Sequence, residues 1–376
     1  MKKLGIYIHI PFCRRRCNYC GFYSKALDSP RCVAIRQAED AYVRGLIAKI
    51  VENGAKYGKR YLVDSLFIGG GTPSIFSAES ISKIIGTVGE SFDVTSGAEI
   101  TIEGNPESLN REKLEKYLAC GINRLSMGVQ SFDDEILKSL GRCHTRADAV
   151  ESFELAKIAG FGNVNIDLMF AIPGQSTEKW EKTLKTAVEL DPEHISFYGL
   201  QIEEGTPFYR QYMAGELDFV PEETDRKMYH AALSMLKNSG FEHYEISNAA
   251  KPGFRCAHNL KYWSFDDYLG IGDSAASFMD GVRFSEKLGG EYGEYHVNGF
   301  KDDVSEFMFT GLRKVEGISK AEFGKRFGKD IWEVYVKEKK YLRDFFERGQ
   351  IVEEGDTLKL TESGFDVSNS IMALFV

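Results

Sequence analysis

Ile8-His9-Ile10-Pro11-Phe12-Cys13-Arg14-Arg15-Arg16-Cys17-Asn18-Tyr19-Cys20-Gly21-Phe22 follows directly on an apolar run that begins at Leu4. The run reads as a short buried strand, and the loop after it carries thiols in the spacing Cys-x3-Cys-x2-Cys. Three thiolates on one short loop can hold a four-iron four-sulfur cluster and leave one iron without a protein ligand. Zinc is the competing use of soft thiolates, but a structural zinc site closes with four ligands. The fourth would have to be Cys32, His9 or a distant residue, and no second cysteine pair follows. A disulfide framework fits poorly, because the seven cysteines are odd in number and mostly isolated. Cys32, Cys120, Cys143 and Cys256 read individually as buried or half-buried thiols. The expected metal site is a cluster on Cys13, Cys17 and Cys20.

Outward from that loop, strand-like runs alternate with longer amphipathic ones through two-thirds of the chain, the pattern of parallel strands joined by crossover helices. Strands are expected over 4–10, 65–69, 98–103, 124–128, 163–170 and 194–200, with helices over 38–53, 80–89, 111–119, 147–159, 177–190 and 224–238. This is an α/β fold, an incomplete six-stranded (β/α) barrel over 1–250, and such barrels place their chemistry at the strand C-terminal ends. Lys251-Pro252-Gly253 marks a turn. Residues 251–302 read as an irregular, aromatic connecting segment. From 303 to 376, helical runs precede two short strands around a Gly-Asp turn, which suggests a small winged-helix-like α+β domain.

A chain of 376 residues with 43% hydrophobic content can bury a large core. Its net charge of −9 argues against nonspecific nucleic-acid binding, which draws its affinity from basic surface. Arg14, Arg15 and Arg16 form the densest basic spot, either solvated or placed to meet a carboxylate-bearing substrate. The N-terminus lacks the apolar stretch and cleavage site of a signal peptide. No apolar segment approaches the roughly 20 residues that span a bilayer. A cytoplasmic location without an integral membrane segment is expected.

The cysteine spacing matches, without a gap, the signature of radical S-adenosylmethionine (SAM) chemistry, in which the open iron chelates the amino and carboxylate groups of SAM. Gly69-Gly70-Gly71-Thr72-Pro73 closes the second strand. Residues without side chains there let backbone approach a ligand closely, and Thr72 adds a hydroxyl. Glu103 ends the third strand and Gln130 the fourth; Asp167 lies in the apolar fifth, where an unpaired carboxylate is costly. Arg142 falls between strands four and five. Charges of both signs converging on one barrel mouth suit a zwitterionic ligand with a ribose, although any one of these residues could equally serve an internal ion pair.

With these motifs in place, the whole chain resembles radical SAM proteins of the oxygen-independent coproporphyrinogen oxidase-like group, and within it the heme-chaperone branch. The resemblance rests on Tyr7 and the Ile8–Cys13 lead-in, Gly70-Gly71-Thr72-Pro73, Glu103, Gly128-Val129-Gln130-Ser131-Phe132, Arg142, Asp167, Ile172-Pro173-Gly174-Gln175, Tyr244-Glu245-Ile246-Ser247-Asn248 and His258-Asn259-Leu260-Lys261-Tyr262-Trp263. It implies cluster ligation by Cys13, Cys17 and Cys20, and SAM contacts from Tyr7, Tyr19, Gly70, Gly71, Thr72, Glu103, Gln130, Arg142 and Asp167. It further implies heme as a third cofactor, with His258 its candidate contact and Cys256 an alternative soft ligand, a heme-acceptor protein and an electron donor as partners. Phe22 stands where the radical decarboxylase of the group carries a further cysteine, which places coproporphyrinogen dehydrogenase activity in doubt. Ala276 stands where a histidine is common in the group.

Overall fold

The computed structural model describes residues 1–27 and 32–376, the side chains of 32–35 excepted, so the reading of Cys32 lies outside the described residues. β1 (Lys2–Ile10) leads into two-residue strands β2 (Phe12–Cys13) and β3 (Lys25–Ala26), which pair in parallel and close the ends of the cysteine loop. Then follow α1 (Cys32–Tyr57), β4 (Tyr61–Gly70), α2 (Ala78–Ser91), β5 (Asp93–Gly104), α3 (Arg111–Ala119), β6 (Arg124–Gln130), α4 (Asp134–Ser139), α5 (Arg146–Ala159), β7 (Val164–Phe170), α6 (Thr177–Glu189) and β8 (His194–Gly199). Every expected strand and helix of this region is present. The helices start where short polar side chains cap them: Ser77, Asn110 and Ser176 each accept a first-turn amide, and Thr145 forms a capping box with Asp148.

β1, β4, β5, β6, β7 and β8 lie side by side in parallel, as right-handed crossover units require. Alternation along each strand divides two environments. Ile6, Ile8, Ile68, Ile102, Met127, Ile166 and Phe197 join the core under the helices, where Leu46, Ile81, Leu114 and Leu184 meet them. The intervening residues face the barrel interior and are polar: Glu103, Ser126, Asn165, Asp167 and Ser196. A branched aliphatic filling is the usual content of a closed barrel, so a polar interior makes this one a candidate ligand chamber.

The sheet continues past both edges of the barrel. After α7 (Pro207–Met213) and α8 (Glu222–Asn238), β9 (Glu242–Glu245) and β10 (Asn248–Ala250) add antiparallel beside β8. The segment read as irregular over 251–302 is ordered, which corrects that expectation. It forms α9 (Ala257–Trp263) and four strands, β11 (Tyr268–Ile271), β12 (Ala276–Met279), β13 (Val282–Glu286) and β14 (Tyr292–Val297). β11 is a further parallel strand on the outer side of β1, with Tyr7 opposite Gly270, and β12 to β14 extend it antiparallel to complete a 12-stranded sheet.

The C-terminal module comprises α10 (Phe300–Gly311), β15 (Ile318–Ser319), α11 (Lys320–Phe327), α12 (Ile331–Val334), α13 (Glu338–Glu347), β16 (Ile351–Glu354) and β17 (Thr357–Leu360), with a small antiparallel sheet in the order β15-β17-β16. The β16–β17 hairpin turns at Gly355-Asp356, as expected. Backbone bonds from Ile246 to Arg313 and from Val315 to Tyr244 fasten the module to the barrel edge. The Arg313 guanidinium lies 4.3 Å from the Trp263 ring centroid and pairs with buried Glu245.

Candidate functional site

The cysteine loop is held at several points. Leu27 donates its amide to the Cys13 carbonyl at 2.8 Å, while Asn18 bonds the end of α4 through its amide to Leu140 at 2.9 Å and its side chain to Ser139 at 2.8 Å. Cys13, Cys17 and Cys20 are half-buried at the rim formed by the strand C-terminal ends. The Thr72 hydroxyl lies 3.6 Å from Cys13 Sγ and an Arg142 Nη1–H lies 3.5 Å from Cys17 Sγ. Burial pushes the Cys13 and Cys20 thiols up, so a soft metal would displace protons as it binds. Among the described residues, no three His, Cys, Asp or Glu side chains are gathered closely enough to hold one metal ion. Three thiols on one loop remain the donor set that suits an iron–sulfur cluster. Arg14, Arg15 and Arg16 are exposed, as is Phe22. Cys143 is exposed, against the expectation of a buried or half-buried thiol, because it leaves the Gly141-Arg142 turn on the outer side while Arg142 points inward.

The glycine turn adjoins this loop. The Gly70 amide donates to Glu103 Oε2 at 3.0 Å, and Gly70 has φ of +119°, open to glycine at little cost. A Cβ on Gly71 would lie 2.7 Å from the Phe12 carbonyl oxygen, so the turn and the cysteine loop touch backbone to backbone. Asn105, unmarked in the sequence reading, ties the two halves of the rim together: its side chain donates to Thr72 Oγ1 at 3.1 Å and accepts from Arg142 at 2.7 Å. Arg142 also donates to the Gly128 carbonyl. Gln130 holds φ of +70°, an uncommon conformation for a residue with a side chain, and accepts from the Tyr198 hydroxyl at 2.8 Å. Tyr19 packs beside Leu140 and Phe208 next to the loop.

Beneath the rim lies a chamber of about 190 Å³. Tyr7, Glu103, Asp167 and His258 line it, so the structure brings these expected residues together with Arg124, Ser126 and Asn165, which the sequence reading did not single out. Burial, reinforced by the nearby Asp167 charge, pushes the Glu103 carboxyl up to about 8. Burial also raises Asp167, partly offset by hydrogen bonds from Asn165 at 2.7 Å and Ser126 at 3.4 Å. His258 is 1% exposed, with Nδ1 2.9 Å from Ser65 Oγ and Nε2 2.8 Å from the Tyr262 hydroxyl. Burial depresses its imidazole to about 3, so the ring is neutral. Cys256 is buried 3.4 Å from a Glu99 oxygen, and burial pushes its thiol up to about 12. Both are therefore engaged inside the wall rather than presented at the rim.

Parallel strands whose C-terminal rim carries a three-cysteine loop, a glycine turn and converging carboxylates have the construction of a radical SAM protein. The Radical SAM superfamily pattern matches residues 7–187, and that of the HemN C-terminal domain residues 301–367. A Bacillus subtilis protein named heme chaperone HemW is 36% identical over 384 residues, covering 98% of each chain. Its Escherichia coli namesake is 34% identical over 99% of this chain and 98% of that one. The chain belongs to the HemW family of radical SAM proteins. The solved structure of coproporphyrinogen III oxidase (HemN) from Escherichia coli covers 100% of this chain and 90% of its own with a TM-score of 0.86 at 22% identity, which establishes a shared fold. Membership of the superfamily implies a 4Fe-4S cluster and SAM. No helix among the described residues is long and apolar enough to cross a membrane.

Proposed function

We propose that the protein is a cytoplasmic heme chaperone, taking up heme and passing it to an acceptor protein, with a 4Fe-4S cluster on Cys13, Cys17 and Cys20 and SAM at the rim. The observation that carries the reading is the full-length similarity to two proteins named heme chaperone HemW. Phe22 in place of the decarboxylase cysteine agrees with it. The cluster would supply an electron to bound SAM, drawn from a cellular donor. Around it, the Thr72 hydroxyl and the Arg142 guanidinium stabilise sulfur charge on Cys13 and Cys17. Gly70, Gly71 and Thr72 offer backbone and hydroxyl to the methionine end of SAM, while Glu103, Gln130, Arg142 and Asp167 supply acceptors and donors for its charged and ribose groups; Tyr7 and Tyr19 complete the contact set.

The chamber is below the roughly 300–1,000 Å³ of sites for drug-sized ligands, so a porphyrin belongs outside it. If His258 ligates heme iron, α9 must first shift and release the bonds to Ser65 and Tyr262. An anaerobic heme titration of the cluster-reconstituted protein, followed by the heme absorption band, tests the reading. Saturation near one heme per chain, weakened in His258→Ala, is expected. Undiminished binding by that variant would remove His258 from the proposal, and turnover of coproporphyrinogen without saturable heme binding would overturn the chaperone function.

A further inference from the structure

α9 carries His258 and is held at its two ends by different parts of the molecule. At the N-terminal end the barrel supplies an anion: Glu99 of β5 accepts the amides of Ala257 and His258 at 3.0 Å each. At the C-terminal end, where the helix dipole favours cations, the C-terminal module supplies three. The Arg313 guanidinium covers the Trp263 ring, and Lys314 Nζ donates to Ser264 Oγ at 3.4 Å. Arg326 of α11 donates to the Phe265 carbonyl at 3.0 Å and pairs with Asp266 at 3.5 Å. The Phe265 ring also meets Phe307 of α10 edge-on, with centroids 6.4 Å apart.

Two features make this second end the one that gives way. Phe265 holds φ of +54°, a strained conformation for an aromatic residue that persists only where neighbours impose it. Its neighbours here are Arg326 and Phe307, both of the module. In addition, Arg313 Nε, Trp263 Nε1 and Glu245 Oε2 are buried without a partner among the described residues, the last 3.7 Å from the Arg313 guanidinium. Parting these surfaces admits water to all three groups, which offsets the loss of the cation–π contact. We propose that the C-terminal module is a latch on α9. With Arg313 and Arg326 in place, His258 stays on Ser65; their release relaxes Phe265, lifts the C-terminal end of α9 and frees His258 for heme. Arg313 and Arg326 are positioning residues in this scheme, which rests on the reading of His258 as a heme contact. Heme then binds the fraction of molecules with α9 released, so enlarging that fraction tightens the apparent affinity in proportion.

The test is the anaerobic heme titration of the full-length, cluster-reconstituted protein, run beside hydrogen exchange of the α9 amides. Arg313→Met is expected to bind heme about fivefold more tightly than the parent and to exchange the amides of residues 260–264 faster by a similar factor. Arg313→Lys keeps a cation over Trp263 and is expected to retain the parent's values. The gain in affinity is expected to vanish when His258→Ala is added, because a general loosening of the fold would not depend on that ring. Circular dichroism reports whether Arg313→Met folds; should it not, Arg326→Gln opens the second contact and carries the same expectation. Unchanged or weaker heme binding in a folded variant, beside saturable binding by the parent, would overturn the latch and leave the chaperone reading standing. A gain that persists without His258 would overturn it equally. No saturable heme binding by the parent would remove the heme reading and the latch together.

Discussion

Glu103→Gln is expected to stabilise the protein at alkaline pH and to leave it nearly unchanged in acid. In the folded chain the Glu103 carboxyl titrates at about 8, against 4.5 ordinarily. A carboxyl raised by folding binds its proton more tightly in the native state, so its contribution is fully favourable below pH 4.5 and is lost as pH rises toward 8. Each pH unit of that window is worth about 1.36 kcal/mol, which sets a ceiling of about 5 kcal/mol. Water in the chamber reduces the cost of the charge, so a gain of about 2–3 kcal/mol at pH 8 is expected. Glutamine keeps an oxygen to accept from the Gly70 amide, so the 3.0 Å bond survives. The assay is urea unfolding of parent and variant at pH 5 and pH 8 with matched iron content. Their difference cancels the titrations that do not feel Glu103, including the opposite one of His258, which favours folding above its ordinary pKa and loses that contribution as pH falls toward 3. A variant as pH-dependent as the parent, or destabilised at pH 8, would refute the reasoning.

Three further substitutions probe the rim and wall. Arg142→Lys replaces a fork that reaches Cys17, Asn105 and Gly128 by a single ammonium; a loss of about 2 kcal/mol in stability and a lower iron content after reconstitution are expected, read by denaturant unfolding and iron assay. Gly71→Ala drives a Cβ against the Phe12 backbone, costing about 1–3 kcal/mol and weakening SAM in equilibrium dialysis, whereas Gly97→Ala, with open space around it, should do neither. Tyr262→Phe removes the hydroxyl at His258 Nε2, lowering thermal stability by about 1 kcal/mol and, if His258 serves heme, strengthening heme binding in the same titration.

The parallel strands are legible in the sequence because each carries an unbroken apolar face toward the helices, as Ile6, Ile8 and Ile10 do in β1. The rim is legible because its chemistry sits in compact motifs. The polar wall is not: Arg124, Ser126 and Asn165 alternate with core residues just as solvent-facing polar residues do in a half-exposed strand, and only the curvature of the sheet turns them inward. Asn105 is hidden for another reason, since nothing in Glu103-Gly104-Asn105-Pro106 says that its amide reaches Thr72 and Arg142. Between residues 251 and 302 the pattern fails outright. β11 is four residues long, β14 is exposed along its whole length, and α9 buries His258 and Lys261 where apolar residues would announce a helix. Their pairing depends on the edge of β1, which lies more than 250 residues away in sequence.

α9 packs against the N-terminal halves of β1, β4 and β5, with Lys261 beside Gly5 and paired to Asp64, and Glu99 holding its first amides. The helix is a floor, and the rim above it is where SAM is proposed to sit. Because Lys261 and His258 tie that floor to β4 and Glu99 ties it to β5, a shift of α9 would pull on both strands at once, and a change made at the bottom of the barrel would be felt at the top.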